Sequence, residues 1–351
     1  MSRPQDPHRP FFPFGNPLRM ISPKSSHLSP KLLSLLHAFE ETLAERLRKL
    51  NPENKDDVLT LAWMKSAMAS LCETHTDIKS LIVDLELPVT EWDDKWIDMY
   101  FDISVKLLDI CIALSSEISR LNQGHLLLQC VLHSLESDTS ERFTRARSSL
   151  DTWRQHISSR NPRVKNVHAI LDNLVESMDL PKVKNSAKGK VLIRAMYGVK
   201  VETVFVCSVF AAAFSGLKKS LDLDIPDTVL WSQSYSALQT NVYGGIKELS
   251  SDEKFIMLKE LDSVDAEVKK LYPMVQDGIE STEEEAFKNS ISDLRRVSEE
   301  LSQGLDFLAK EVDGFFKIVL TGRDALLCKL RDSANVTDPI LGCNVEKQAV
   351  R

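Results

Sequence analysis

The chain has 351 residues, 43% of them apolar and 27% charged, which suits a folded soluble protein and excludes a disordered one. Its net charge of −7 leaves no global basic field to hold nucleic-acid phosphates, so no nucleic-acid partner is expected. Six cysteines stand far apart, at 72, 111, 130, 207, 328 and 343, with no CxxC pair and no secretory apolar segment near the start. They read as reduced thiols of an intracellular protein.

Seven of the fourteen prolines fall within residues 1–30, which predicts an irregular arm there. Before Glu40 the only acid is Asp6, against Arg3, Arg9, Arg19, Lys24 and Lys31. That balance resembles a plastid transit segment, although the proline density does not. Phe11, Phe12 and Phe14 give the arm apolar groups with which to dock.

From residue 31 to 331 the apolar period is helical, and the prolines at 52, 88, 162, 181, 226, 273 and 339 read as breaks between helices. Leu28, Leu32, Leu35, Phe39, Leu43, Leu47 and Leu50 mark one face of a first helix. A second follows, with Asp56 or Asp57 as its cap; a third opens at Thr90, with Asp93 three residues on, and runs towards Leu121. Gly124 reads as a helix junction beside a packed or capping His125. Trp92, Trp96, Trp153 and Trp231 read as core anchors.

A hinge is expected near 181–186, where "KVKNSAKGKVLIRAMYGVK" begins. Lys182, Lys184, Lys188, Lys190, Arg194 and Lys200 fall in this segment with no acid among them. They read either as a solvated helix start facing the acidic "DGIESTEEE" at 277–285, or as a surface for anionic lipid or a phosphorylated partner.

Next comes "VETVFVCSVFAAAFSG". The uncharged run Thr203 to Leu217 would span roughly 22 Å as a helix, short of the approximately 30 Å hydrocarbon core. Lengthening it backwards brings in Arg194, Lys200 and Glu202, each costing on the order of 3 kcal/mol near mid-bilayer. Ala211, Ala212, Ala213, Ser215 and Gly216 suit close helix packing, so a buried central helix is the expectation and membrane insertion through 203–217 the alternative.

The longest signal runs from Phe287 through Leu294, Leu301, Leu308, Phe315 and Leu326 to Leu330 in near-constant phase. A helix of about 65 Å follows, with Gly304, Gly314 and Gly322 allowing a bend or close approach. Residues 332–351 read as a flexible tail. The expected fold is therefore all-α: an elongated antiparallel helical bundle with a long C-terminal helix, packed in coiled-coil fashion.

Catalytic signatures are missing: no GxGxxG, P-loop, HExxH or GxSxG occurs. Cys72 with His75, and Cys130 with His133, have a spacing that places each pair on one helix face. Two such helices could offer zinc four ligands, but cysteines are common on bundle faces, and no metal or cofactor is assigned.

"RPQDPHRPFFPFGNP", the block from "LCETHTDIKSLIVDLELPVTEWDDKW" to "LNQGHLLLQ", and "LPKVKNSAKGKVLIRAMYGVKVETVFVCSVFAAAFSG" resemble the plant BYPASS family over almost the whole chain. The resemblance implies a noncatalytic regulator of root and shoot development, restraining a root-derived mobile signal that arrests shoot growth. It carries over no catalytic residues. It also implies a helical interaction module with protein partners, since distant relatives associate with exocyst tethering. Family descriptions further entertain plastid targeting and a membrane segment at 203–217. An enzyme or small-molecule binder in the signal pathway, and a membrane-anchored organiser, stand as alternatives. The expected location is intracellular, cytoplasmic or peripheral to membranes, with the chloroplast or membrane integration through 203–217 as the alternative.

Overall fold

A computed structural model describes residues 28–54, 57–86, 94–176, 186–216, 223, 225–248, 257–277 and 284–337. Among them the chain forms nine helices and no strand: α1 (Pro30–Lys49), α2 (Leu61–Asp84), α3 (Asp94–Glu136), α4 (Arg142–Ser158), α5 (Pro162–Glu176), α6 (Ala187–Ser215), α7 (Ser232–Glu248), α8 (Lys259–Asp277) and α9 (Glu284–Thr337). The fold is all-α.

Two long helices form the spine. α3 has 43 residues and α9 has 54, about 65 and 80 Å at 1.5 Å per residue. They run antiparallel: Arg323 reaches the Phe101 carbonyl, Asn122 meets Asp306, and His125 meets Ser298. α4 and α8 pack beside one half of this pair, joined to each other by Tyr272, which bonds Asp151 and stacks under Arg154. α2 lies parallel to the other half of α9, where Leu61 meets Gly304 and Lys79 donates to the Ile318 carbonyl. Behind α2 lies α6, in contact with α1, α2, α3 and α5 and stacked against α7 through Phe205 with Tyr235 and Tyr243.

α6 is the answer to its own hydropathy. Its most apolar 18-residue window is 94% buried by other parts of the chain, from Val201 to Phe214 without a gap. A helix apolar on every side needs cover on every side, and here protein supplies it. The helix stops at Gly216, whose φ of 67° forms a left-handed cap, its N–H bonded to the Ala212 carbonyl. Leu217, the last residue of the uncharged run, lies outside the described residues.

Several local expectations are corrected. α2 is capped by Thr60, which accepts from the Trp63 N–H, because Leu59 takes a φ of 63° and separates Asp57 from the helix. Asp57 instead ties the preceding turn through Asn54. Gly124 is no junction: α3 passes through it unbroken, and its bare Cα lets α4 close to where a Cβ would stand 3.1 Å from Ile157 Cδ1. Pro273 lies inside α8 rather than between helices, on an exposed face where water can satisfy the carbonyl it leaves unpaired. α9 continues to Thr337, beyond the expected boundary at 331. Trp153 and Trp231 are buried at 2% and 0% exposure; the side chains of Trp92 and Trp96, the Thr90 helix start, the hinge near 181–186, the arm before Leu28 and the chain after Thr337 lie outside the described residues.

Gly304 lets α9 press against Leu61 of α2. A Cβ there would sit 2.7 Å from Leu61 Cδ1 and 3.1 Å from Leu61 Cβ, an atom that cannot swing aside. Gly304→Ala should destabilise the protein by about 1–3 kcal/mol through overpacking. Gly244→Ala, with nothing within 4 Å of the added carbon, should instead be neutral or stabilising by about 0.5–1 kcal/mol. Chemical denaturation of the two variants against the parent checks both signs.

Candidate functional site

The basic segment divides along α6. Lys182 and Lys184 lie outside the described residues, as does most of 277–285. Lys188 and Lys190 sit half-buried in the first turn, where Lys188 donates to the Glu86 carbonyl. Arg194 and Lys200 turn inward. The Arg194 guanidinium grips the fully buried Glu40 of α1 with Nε and Nη2, and Nη2 also reaches the Thr228 carbonyl. Glu40 in turn accepts from the Leu230 N–H, so one ion pair ties α1, α6 and the start of α7. Lys200 is 7% exposed.

Below this pair lies a buried polar seam between α2 and α6. Ser70 donates to Glu202 Oε1 at 2.6 Å, while Glu202 Oε2 has no hydrogen-bond partner among the described residues. Arg46 of α1 approaches from one side, bonded to Thr74 and paired with Glu73 and Asp77. One residue along α6, Thr203 bonds His75 Nε2 at 3.0 Å, with Phe315 edge-on to the imidazole.

Burial governs both titrations. Desolvation raises the Glu202 pKa against the smaller opposing effects of Ser70, Thr74 and Arg46. Desolvation, helped by Lys79, lowers that of His75 to about 4. A serine beside a carboxylate, and a neutral histidine beside a threonine, are catalytic pairings on paper. Here Ser70, Glu202 and Thr203 are each under 10% exposed, and a substrate would have to displace α6 to reach them.

The Cys-x-x-His pairs do not converge. Cys72 reaches the Glu311 carbonyl, His75 is held by Thr203, and Cys130 is exposed. Among the described residues no group of three or more His, Cys, Asp or Glu side chains could hold a metal ion. Cys207 is buried, its thiol pushed up to about 12 by desolvation, which makes it a packing group rather than a nucleophile.

Solvent does reach one polar assembly. An open cavity of about 720 Å³ lies where α3, the α4–α5 turn and α9 meet. Ser115, Ser116, Ser119, Arg120 and Gln123 line it from α3, Arg160 from the turn, Arg163 from the start of α5, and Asp313 and Phe316 from α9. Sequence reading passed over this site because Arg120 and Arg160 are forty positions apart and meet only once α4 folds back along α3. The recurring serines of "SSEISR" at helical spacing were the one visible trace.

A family profile described as "Protein ROH1-like" matches residues 20–153 and 149–329. The chain belongs to the ROH1-like family. It is 55% identical to "Protein BPS1, chloroplastic" of Arabidopsis thaliana, over 94% of this chain and 93% of that protein. It is 38% identical to "UPF0496 protein 4" of Oryza sativa subsp. indica, over 95% of this chain and 98% of that one. "Protein ROH1D" of Arabidopsis thaliana is a more distant relative, 20% identical over 86% of this chain. No solved structure matches. Within the ROH1-like family the chain is a BYPASS member, a plant developmental regulator, and the similarities point to no catalytic family.

The buried carboxylate generates a signed prediction. A raised folded-state pKa means that Glu202 favours folding below its ordinary pKa of 4.5, and that this contribution is lost as pH rises through the folded value. His75 has the opposite sign: its contribution is present above 6.5 and lost as pH falls towards 4. Glu202→Gln should therefore raise Tm at neutral pH, by roughly 2–4 °C, and the gain should vanish as pH falls into the carboxylate range. Melting curves of variant and parent across that range decide it.

Proposed function

We propose that this regulator acts by binding, as a noncatalytic helical module that restrains production of a root-derived signal arresting shoot growth. The observation that carries this reading is the closed interior. The side chains best suited to acid–base chemistry, Glu202, Ser70 and His75, are consumed in holding α2 to α6. What the molecule offers to others is the outer length of α3 and α9, with protein partners engaged along those rods. In plants lacking the family's activity, expression confined to the root should restore shoot growth. The Glu202→Gln variant, which removes the buried carboxylate with the raised pKa, should restore it equally. Failure of that variant at normal protein levels would return the chain to the enzymes.

For the compartment, we infer plastid import. The 55% identical relative is named chloroplastic, and the first thirty residues are basic, serine-bearing and almost without acid. The packed α6 supports a protein released from membranes there, because insertion would strip Arg194 and Glu202 of partners on α1 and α2. A C-terminal fluorescent fusion of the full chain should enter plastids and leave their membranes in a carbonate wash. Fluorescence confined to the cytosol overturns the import; retention in the washed membrane overturns the soluble state.

A further inference from the structure

We propose that the groove between α3, the α4–α5 turn and α9 binds a compact polyanion bearing phosphate groups on a small carbon frame. At about 720 Å³ it falls in the range of small-molecule sites. Three guanidiniums line it, in a chain whose net charge is −7. The single carboxylate on its wall, Asp313, is paired with Lys317 one turn further along α9.

The floor is built before any ligand arrives. Glu117, 1% exposed, clamps Arg120 through Nε and Nη2, and Arg120 Nη1 donates to the His156 carbonyl. His156 closes the loop by bonding the Arg120 carbonyl, which pins α4 to α3 directly beneath the groove. These bonds use three of the five guanidinium N–H donors, so Arg120 is held rigid with two to spare. Glu117 already balances its charge; Arg160 and Arg163 add their guanidiniums at the exposed rim.

Hydroxyls complete the donor set. Ser116 Oγ accepts from Asn161 Nδ2 at 3.3 Å, which leaves its own proton to give; Ser115 and Ser119 line the same wall. Forked guanidiniums beside hydroxyl donors fit the several acceptor oxygens of a phosphate better than they fit a single carboxylate. A free polyol phosphate and a phosphoinositide headgroup share this chemistry. The site stands apart from Lys188 and Lys190 and does not rest on the growth role.

The test uses the full chain at about 0.15 M salt, where weak surface attraction is screened. Calorimetric titration with inositol hexakisphosphate should show one site per chain. The double variant Arg160→Glu/Arg163→Glu should weaken it by roughly tenfold or more, with helical content and Tm retained. Lys188→Glu/Lys190→Glu should leave it unchanged. In a second arm, flotation with phosphatidylcholine vesicles holding about 5% phosphatidylinositol bisphosphate identifies a headgroup source if binding is lost in the groove variant. Binding to the soluble probe alone identifies a free ligand. Binding of neither probe, binding unchanged in the groove variant, or binding abolished by the α6 lysine variant overturns the proposal.

Discussion

One helix that must be hidden sets the terms for the rest of the molecule. α6 is apolar around its whole circumference, and water would penalise any face left bare, at roughly 25 cal/mol per Å² of apolar surface. α1, α2, α5 and α7 are therefore arranged as its wrapping. Its few polar side chains turn that requirement into a register. Arg194 answers to Glu40 on α1, Glu202 and Thr203 to Ser70 and His75 on α2, Ser208 to Tyr243 on α7, and Ser215 to His168 on α5. A slip of either helix would leave a buried polar group unmatched, at about 1–3 kcal/mol for a neutral group and more for a charge. Hydrophobic burial draws the layers together; the polar exceptions say where each one stops.

α9 carries that order across the molecule. One half of it closes a bundle with α3, α4 and α8, and the other half presses α2 against α6. α3 runs beside it over the same course, from Phe101 against Arg323 to Glu136 against Arg295. Gly304 permits close approach to Leu61 of α2, and Gly322 makes room for the Tyr100 hydroxyl of α3. The arginine-lined groove sits near this meeting of the two halves, where the α4–α5 turn folds against both spine helices.

The features readable from sequence were those with a period or a length. Fifteen uncharged residues, too few for a bilayer and rich in alanine, marked α6 as core, and the unbroken phase from Phe287 to Leu330 marked α9. What escaped depended on a single torsion or a distant partner. Leu59 moves the α2 cap from Asp57 to Thr60 by adopting a positive φ, which nothing in its side chain announces. Gly124 looked like a break because glycine lowers helix propensity; its actual use is steric, against Ile157. The basic run at 182–200 looked uniform on paper, yet a helix turns about 100° per residue, so Arg194 faces inward while Lys188 stays near the surface. Arg120 and Arg163 share no local pattern at all, and only the return of α4 along α3 brings them together.

The ionic contacts of α6 also argue against its hydropathy as a membrane signal. A spanning helix can dispense with partners along its sides, because lipid demands none. α6 has charged residues whose partners lie on other helices, and Glu40 is completely enclosed with Arg194 against it. Pulling α6 into lipid would carry Arg194 there without its carboxylate, at a cost on the order of 3 kcal/mol near mid-bilayer. It would also expose the faces of α1, α2, α5 and α7 that now cover the helix. The same sequence that makes α6 apolar enough to enter a bilayer thus ties it to the protein by bonds a bilayer cannot replace.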